Sequence, residues 1–131
     1  MVVIPILFTF LIILFGVWIL FYLSKKINNS RLGLLFGLIH LFLVAFIGIT
    51  MLISLQYNKV PILQWSVFEI LDFPVFLLLI SISLRVPIID LPVDITIYYL
   101  PFLTFAVFGS LQYFLIGTGL SQLIKKLKKN K

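Results

Sequence analysis

Two carboxylates lie close together in the apolar segment FEILDFP, where Glu69 and Asp72 precede Pro74. On an α-helix a spacing of three residues leaves two side chains about 60° apart, so they face the same way. Such a pair can share a cation or a proton, although each charge would cost about 2.5–3.5 kcal/mol in mid-membrane. A second interpretation is a short surface helix that holds both acids at headgroup depth. In that interpretation, which we favour, Trp65 is the aromatic anchor and Pro74 begins the membrane helix.

His40 is the only histidine and lies in the middle of a long apolar run. One interpretation is a buried imidazole that forms a hydrogen bond across a helix interface. The other is a proton acceptor or lone metal ligand that pairs with Glu69 or Asp72. Arg85 adds a base that can pair with the acids. The candidates for an ion or proton path, or for a partner contact, are therefore Glu69, Asp72, His40 and Arg85.

The composition identifies an integral membrane protein. Hydrophobic residues make up 63% of the chain and charged residues 11%, with a mean hydropathy of +1.26. Soluble domains are about 45–50% apolar and about 25% charged. A net charge of +6 would suggest nucleic acid for a soluble protein, but these lysines flank apolar runs and suit anionic lipid headgroups instead. The chain contains no cysteine, so disulfides and thiolate sites are excluded.

Four apolar runs predict an all-α polytopic membrane protein, a small bundle of four hydrophobic helices. The third run contains both Glu69 and Asp72, so it either crosses the membrane, re-enters it or lies in the interface. We expect a single transmembrane domain over residues 1–131, with helices at about 2–24, 32–56, 62–84 and 98–124 and a basic tail at 125–131.

Small residues mark one face of the second run and one face of the last. Small side chains let another helix approach closely, so each face is expected to pack against a neighbour. Gln112 lies away from the second face, so its amide either finds a further contact or stays unpaired in lipid. Two such faces favour association with a second copy or a partner subunit. The residues expected at helix contacts are Gly33, Gly37, Gly48, Gly109 and Gly117.

The basic residues predict the orientation. With four crossings and both termini in the cytoplasm, six basic residues lie inside and four outside. With three crossings and the N-terminus outside, the first loop and the tail share the cytoplasm, and the count is eight to two. The basic-residue rule favours three crossings, whereas the apolar run FPVFLLLISISL favours a fourth membrane helix, and we expect four. The tail residues expected to bind headgroups are Lys125, Lys126, Lys128 and Lys129.

The sequence contains no HExxH pair, no GxSxG motif and no phosphate-binding loop. We therefore expect no enzyme, no metal site and no cofactor. The expected function is a non-enzymatic subunit or anchor of an oligomeric membrane assembly, with a cytoplasmic C-terminus. The alternative is a small transporter, channel or pore, which requires that the acids and His40 face a water-filled cavity.

Overall fold

The computed structural model describes residues 3–27, 31–57, 65–85 and 98–130, and almost all of these residues are helical. The helices are α1 (Val3–Lys26), α2 (Arg31–Gln56), α3 (Ser66–Leu71), α4 (Phe73–Arg85), α5 (Leu100–Leu103) and α6 (Ser110–Lys129). A π-helical segment, Thr104–Gly109, joins α5 to α6, so Leu100–Lys129 is one continuous helix. These described ranges contain no strand, which confirms the all-α prediction.

Three helices are long and apolar enough to cross a membrane: Ile4–Lys26, Arg31–Ser54 and Leu100–Lys129. At 1.5 Å per residue they are about 34, 36 and 45 Å long, compared with a hydrocarbon core of about 30 Å. They correspond to the first, second and fourth apolar runs. The prediction of a membrane protein is therefore confirmed for these three helices.

The third apolar run does not form one helix, so the prediction of four membrane helices is not confirmed. The run is interrupted at Asp72, where φ is −106° and ψ is 36°. Pro74 accounts for the interruption, because in a continuous helix its ring would clash with the carbonyl group four residues before it. α4 has 13 residues. It is therefore about 20 Å long, too short to cross the hydrocarbon core alone.

α1 and α2 form an antiparallel pair with close contacts at glycines. A Cβ atom added to Gly16 would lie 3.0 Å from Leu41 Cδ2, and one added to Gly37 would lie 2.7 Å from Leu20 Cδ2. Residue numbers thus rise along α1 as they fall along α2. Contacts this short leave no room for a side chain at Gly37, so the small residue sets the distance between the helices.

The last helix is also antiparallel to α2. A Cβ atom at Gly48 would lie 2.7 Å from the ring of Phe102, and one at Gly117 would lie 2.7 Å from the carbonyl oxygen of Leu32. Its N-terminal part therefore packs near the end of α2, and its C-terminal part packs near the beginning of α2. The close approaches at Gly33, Gly37, Gly48, Gly109 and Gly117 are all made within one chain.

The end of α1, the beginning of α2 and the end of α6 consequently lie together, and we call this the basic end of the bundle. The hydroxyl groups of Thr9 and Tyr98, 2.5 Å apart, are a contact near the opposite end. The four-crossing expectation disagrees with this arrangement, because it would put the first loop and the tail on opposite sides. The basic end carries Lys25, Lys26, Arg31, Lys125, Lys126, Lys128 and Lys129.

An aromatic cluster packs one side of α3 against the bundle. The ring centroid of Trp65 lies 6.1–6.2 Å from those of Phe68, Tyr98, Phe102 and Phe105. Trp65 is only 7% exposed and Phe68 1%. The expectation that Trp65 is an interfacial anchor is therefore wrong, because its indole is part of the core.

The arrangement predicts three crossings, which site-specific labelling can test because the chain has no native cysteine. Single cysteines in place of Ser30 and Asn130 should react with an impermeant maleimide from the same side of sealed vesicles. A cysteine in place of Tyr57, which follows the end of α2, should react from the other side. Labelling of positions 30 and 130 from opposite sides would contradict three crossings.

Candidate functional site

Three polar side chains from distant parts of the chain meet in the bundle, and we call them the polar centre: His40, Asp72 and Ser110. His40 Nε2 lies 3.0 Å from Oδ1 and 2.9 Å from Oδ2 of Asp72. His40 Nδ1 lies 3.2 Å from Ser110 Oγ. Their exposed fractions are 3%, 0% and 1% for His40, Asp72 and Ser110, so neighbouring side chains cover all three.

The polar centre forms where α3 ends, and the backbone there is hydrogen-bonded. The Asp72 N–H donates to the Phe68 carbonyl and the Asp72 carbonyl accepts from the Phe76 N–H, both at 2.8 Å. The Leu71 carbonyl accepts a hydrogen bond from the Tyr113 hydroxyl at 3.2 Å. An interrupted helix is tolerated at membrane depth only where protein groups satisfy its backbone, and these bonds meet that condition.

Two aromatic rings and a glycine enclose the imidazole. Tyr113 stacks on His40 with a centroid distance of 4.6 Å and an interplanar angle of 16°, and Phe68 meets the ring edge-on at 5.4 Å. Gly109 lets the helices approach, since a Cβ there would contact Asp72 Oδ2 and lie 2.5 Å from His40 Cε1. Even an alanine at position 109 would displace the His40–Asp72 pair.

The hydrogen bonds of the polar centre determine which chemistry its three groups can perform. When Nε2 carries the imidazole proton it donates to the Asp72 carboxylate, and Nδ1 can then accept from the Ser110 hydroxyl. The three groups can thus share or pass a proton. An Asp–His–Ser chain also resembles a nucleophilic triad, but a nucleophile must meet its substrate, and Ser110 is buried.

The structure brings together only part of the predicted set. His40 and Asp72 are paired across a helix interface, which agrees with both interpretations of His40 and does not decide between them. Glu69 is exposed on α3 and lies outside the polar centre. The surface-helix interpretation expected both acids to be exposed charges, and for Asp72 this is wrong because its side chain is fully buried. Arg85 ends α4, and its side chain lies outside the described residues.

Sequence reasoning missed the partners of His40 on α6. Ser110 and Tyr113 lie on the small-residue face of the last run, which was expected only to pack against a neighbour, although that face and the face of His40 both consist of small and polar residues. This shared composition was the available signal. Among the described residues, no group of three His, Asp or Glu side chains could hold a metal ion.

The further contact expected for the Gln112 amide oxygen is not found within the described residues. The side chain of this residue is half-buried, and its Oε1 atom has no hydrogen-bond partner within the described part of the chain. An unpaired buried amide oxygen is costly, by about 1–3 kcal/mol.

A groove of about 370 Å³ lies beside the polar centre, on the outside of the bundle between α2, α3 and α6. Apolar side chains dominate its walls, and His40 and Tyr113 form the polar part of its lining. The lining residues are Phe36, Ile39, His40, Leu43, Leu71, Tyr113 and Ile116.

We expect Asp72→Ala to lower the free energy of unfolding by about 3–5 kcal/mol, because it removes one partner of a buried pair. The matched control is Glu69→Ala, three residues before Asp72 but exposed, which should change it by about 0.5 kcal/mol or less. His40→Ala combined with Asp72→Ala should cost less than the sum of the single changes. Denaturation of the purified protein in detergent measures the free energy of unfolding of all four variants. Equal effects of Asp72→Ala and Glu69→Ala would contradict the assignment of Asp72 as the buried partner of His40.

No protein-family model matches the chain, and no curated protein and no solved structure shows detectable similarity to it.

Proposed function

We propose that the chain is a non-enzymatic integral membrane protein that serves as a subunit or anchor of an oligomeric membrane assembly. The observation that supports this most directly is the contrast between a closed polar interior and an open apolar groove. The polar atoms of His40 and Asp72 are paired with each other, whereas the groove beside them is unfilled by the described chain.

The closed interior favours a structural role for the polar centre. Asp72 and His40 join the α3–α4 segment to α2, and Ser110 joins α2 to α6. Breaking such a contact would leave a polar group unpaired, so the contact selects one arrangement of the helices. A rigid bundle of this kind suits a protein that presents fixed surfaces to partners.

The groove supports the assembly. Between transmembrane helices there is no hydrophobic driving force from water, so association depends on close packing and on a few polar contacts. A groove with aliphatic walls at Ile39, Leu43 and Ile116 offers shape, and Tyr113 and His40 give it a polar part. The occupant we propose is a helix of a second copy or of a partner membrane subunit.

The basic end supports the role of an anchor. Two groups of basic residues lie at the same end of the bundle, where they can bind anionic headgroups together. One consists of Lys25 and Lys26 at the end of α1 with Arg31 at the start of α2, and the other lies at the end of α6. Because basic loops remain in the cytoplasm, we place this end, and with it the C-terminus, on the cytoplasmic side.

Cross-linking tests the assembly at two positions of nearly equal exposure. Leu43, in the groove, is 49% exposed, and Phe21, on α1 away from the groove, is 47% exposed. A bifunctional maleimide should link the Leu43→Cys variant into dimers in native membranes, and it should leave the Phe21→Cys variant monomeric. Monomers at both positions, together with a monomeric mass in mild detergent, would contradict self-assembly through the groove.

A second candidate, a proton path, is favoured by one observation. The carboxylate of Asp72 lies at an interrupted helix and is paired with the only histidine, and intramembrane acids at broken helices are typical of transporters. A proton path would require water to reach His40 from the groove when the helices move.

Flux in proteoliposomes distinguishes the two candidates. For a subunit or anchor we expect no proton flux above that of empty vesicles. For a proton path, the parent would carry flux that Asp72→Asn abolishes, because an amide does not titrate, while the exposed control Glu69→Gln leaves it intact. Flux lost in Asp72→Asn alone would overturn our first proposal, and absence of flux in the parent would overturn the second.

A further inference from the structure

α6 continues beyond the rest of the bundle at the basic end. Gly117 packs against Leu32 at the beginning of α2, and Thr118 is the last buried residue of the helix. From residue 119 to residue 129 the helix continues for about 15 Å. All of these residues are exposed except the half-buried Ser121, and we call residues 119–129 the C-terminal extension.

The C-terminal extension is amphipathic. At 100° per residue its four large apolar side chains fall within about 100° of one another, and the lysines occupy the other side. The apolar side chains are 40–59% exposed. The apolar stripe consists of Leu120, Leu123, Ile124 and Leu127, and the basic face consists of Lys125, Lys126, Lys128 and Lys129.

The extension begins at the level where the other helices end. The last turn of α1, with Lys25 and Lys26, and the first residue of α2, Arg31, lie near Gly117 along the bundle. Basic residues at helix ends mark the headgroup region. If α6 continued straight along the membrane normal, the apolar stripe would therefore be surrounded by water, which a stripe of this kind normally avoids.

We propose that the C-terminal extension lies on an anionic membrane surface, with its apolar stripe at the boundary of headgroups and acyl chains and its lysines among the headgroups. This inference rests on the proposed placement of the basic end at the membrane surface. It adds a second mode of membrane binding to the three crossing helices, one that depends on lipid charge.

Charge favours a lipid surface over a second copy of the extension. The described part of the tail, residues 119–130, contains four lysines and no acidic residue. Two parallel extensions in contact would bring eight lysines together, whereas headgroup phosphates would neutralise them. Lysines on the polar face and leucines on the apolar face are the pattern of helices that lie in the membrane interface.

Gly119 gives the extension a place to bend towards the surface. A Cβ atom at Gly119 would have no atom within 4 Å, whereas at Gly117 it would meet the backbone of α2. The bundle therefore holds the helix up to Gly117 and leaves it unrestrained two residues later. Glycine and serine together, as at Gly119 and Ser121, are frequent at helix bends.

Fluorescence of single labelled cysteines in proteoliposomes tests the inference with the full chain. An environment-sensitive dye at Leu123→Cys, in the stripe, should emit at shorter wavelength when phosphatidylglycerol is added to phosphatidylcholine vesicles. The matched position Gln122→Cys, on the polar side of the same turn, should change much less. Salt at about 1 M, where the Debye length is about 3 Å, should reverse much of the shift. Replacement of the four lysines by glutamine should abolish the shift while the stripe stays intact.

A label at Phe42→Cys, an exposed position in the middle of α2, reports separately whether the bundle is in the membrane. Water-like emission from position 42 would overturn the proposed membrane placement itself. Apolar emission from position 42, with water-like emission from position 123 in anionic vesicles, would overturn the inference about the extension alone. A position 123 shielded equally in both vesicle types, and more so at higher protein density, would also overturn it, in favour of a second copy.

Discussion

The exclusion of water from the interior of the bundle is the constraint on which the rest of this structure depends, and it acts most strongly at Asp72, which is fully buried. An interrupted helix exposes backbone groups, and a carboxylate adds a charge, so both need partners from the protein. His40 binds the carboxylate, and Tyr113 satisfies the carbonyl of Leu71 beside it. The contact of α2 with α6, and the glycine at position 109 that permits it, are consequences of supplying these partners within one small bundle.

Sequence reasoning correctly predicted the helices that can be recognised from the average hydropathy of a long run of residues. A run of about 20 apolar residues has few alternatives to a membrane helix, so α1, α2 and the last helix were predictable. The expectation of one helix over 62–84 was wrong, because length and hydropathy alone suit a crossing. The interpretation that Pro74 begins a new helix after a short one agrees with α3 and α4. The exposure of Glu69 and the burial of Asp72, three residues apart on the predicted helix, reflect the end of α3 at Leu71. No helical periodicity predicts that difference.

Two members of the polar centre, His40 and Asp72, were predictable, but its full set of hydrogen bonds was not. A single histidine among small residues indicates a buried contact, and the pairing of His40 with an acid was one of two stated interpretations. The register of α6 against α2 determines which acid pairs with His40. It also determines that Ser110 and Tyr113 complete the site. That register includes the π-helical segment Thr104–Gly109, whose wider turn shifts the two halves of the last helix by about one residue relative to an uninterrupted α-helix. A helical wheel drawn from the sequence assumes a uniform turn, so it cannot contain this shift.

The members of the polar centre lie far apart in the sequence, and this has a consequence for biogenesis. His40 is synthesised before Asp72, whereas Ser110 and Tyr113 follow Asp72 by about 40 residues. At about 5–20 residues per second, synthesis of this stretch takes about 2–8 s. During that interval α3 and α4 have emerged without the helix that packs against them, and Asp72 has His40 as its only partner of the polar centre. The polar centre can therefore be completed only after the chain has been synthesised beyond Tyr113, so the fold closes from its C-terminal side.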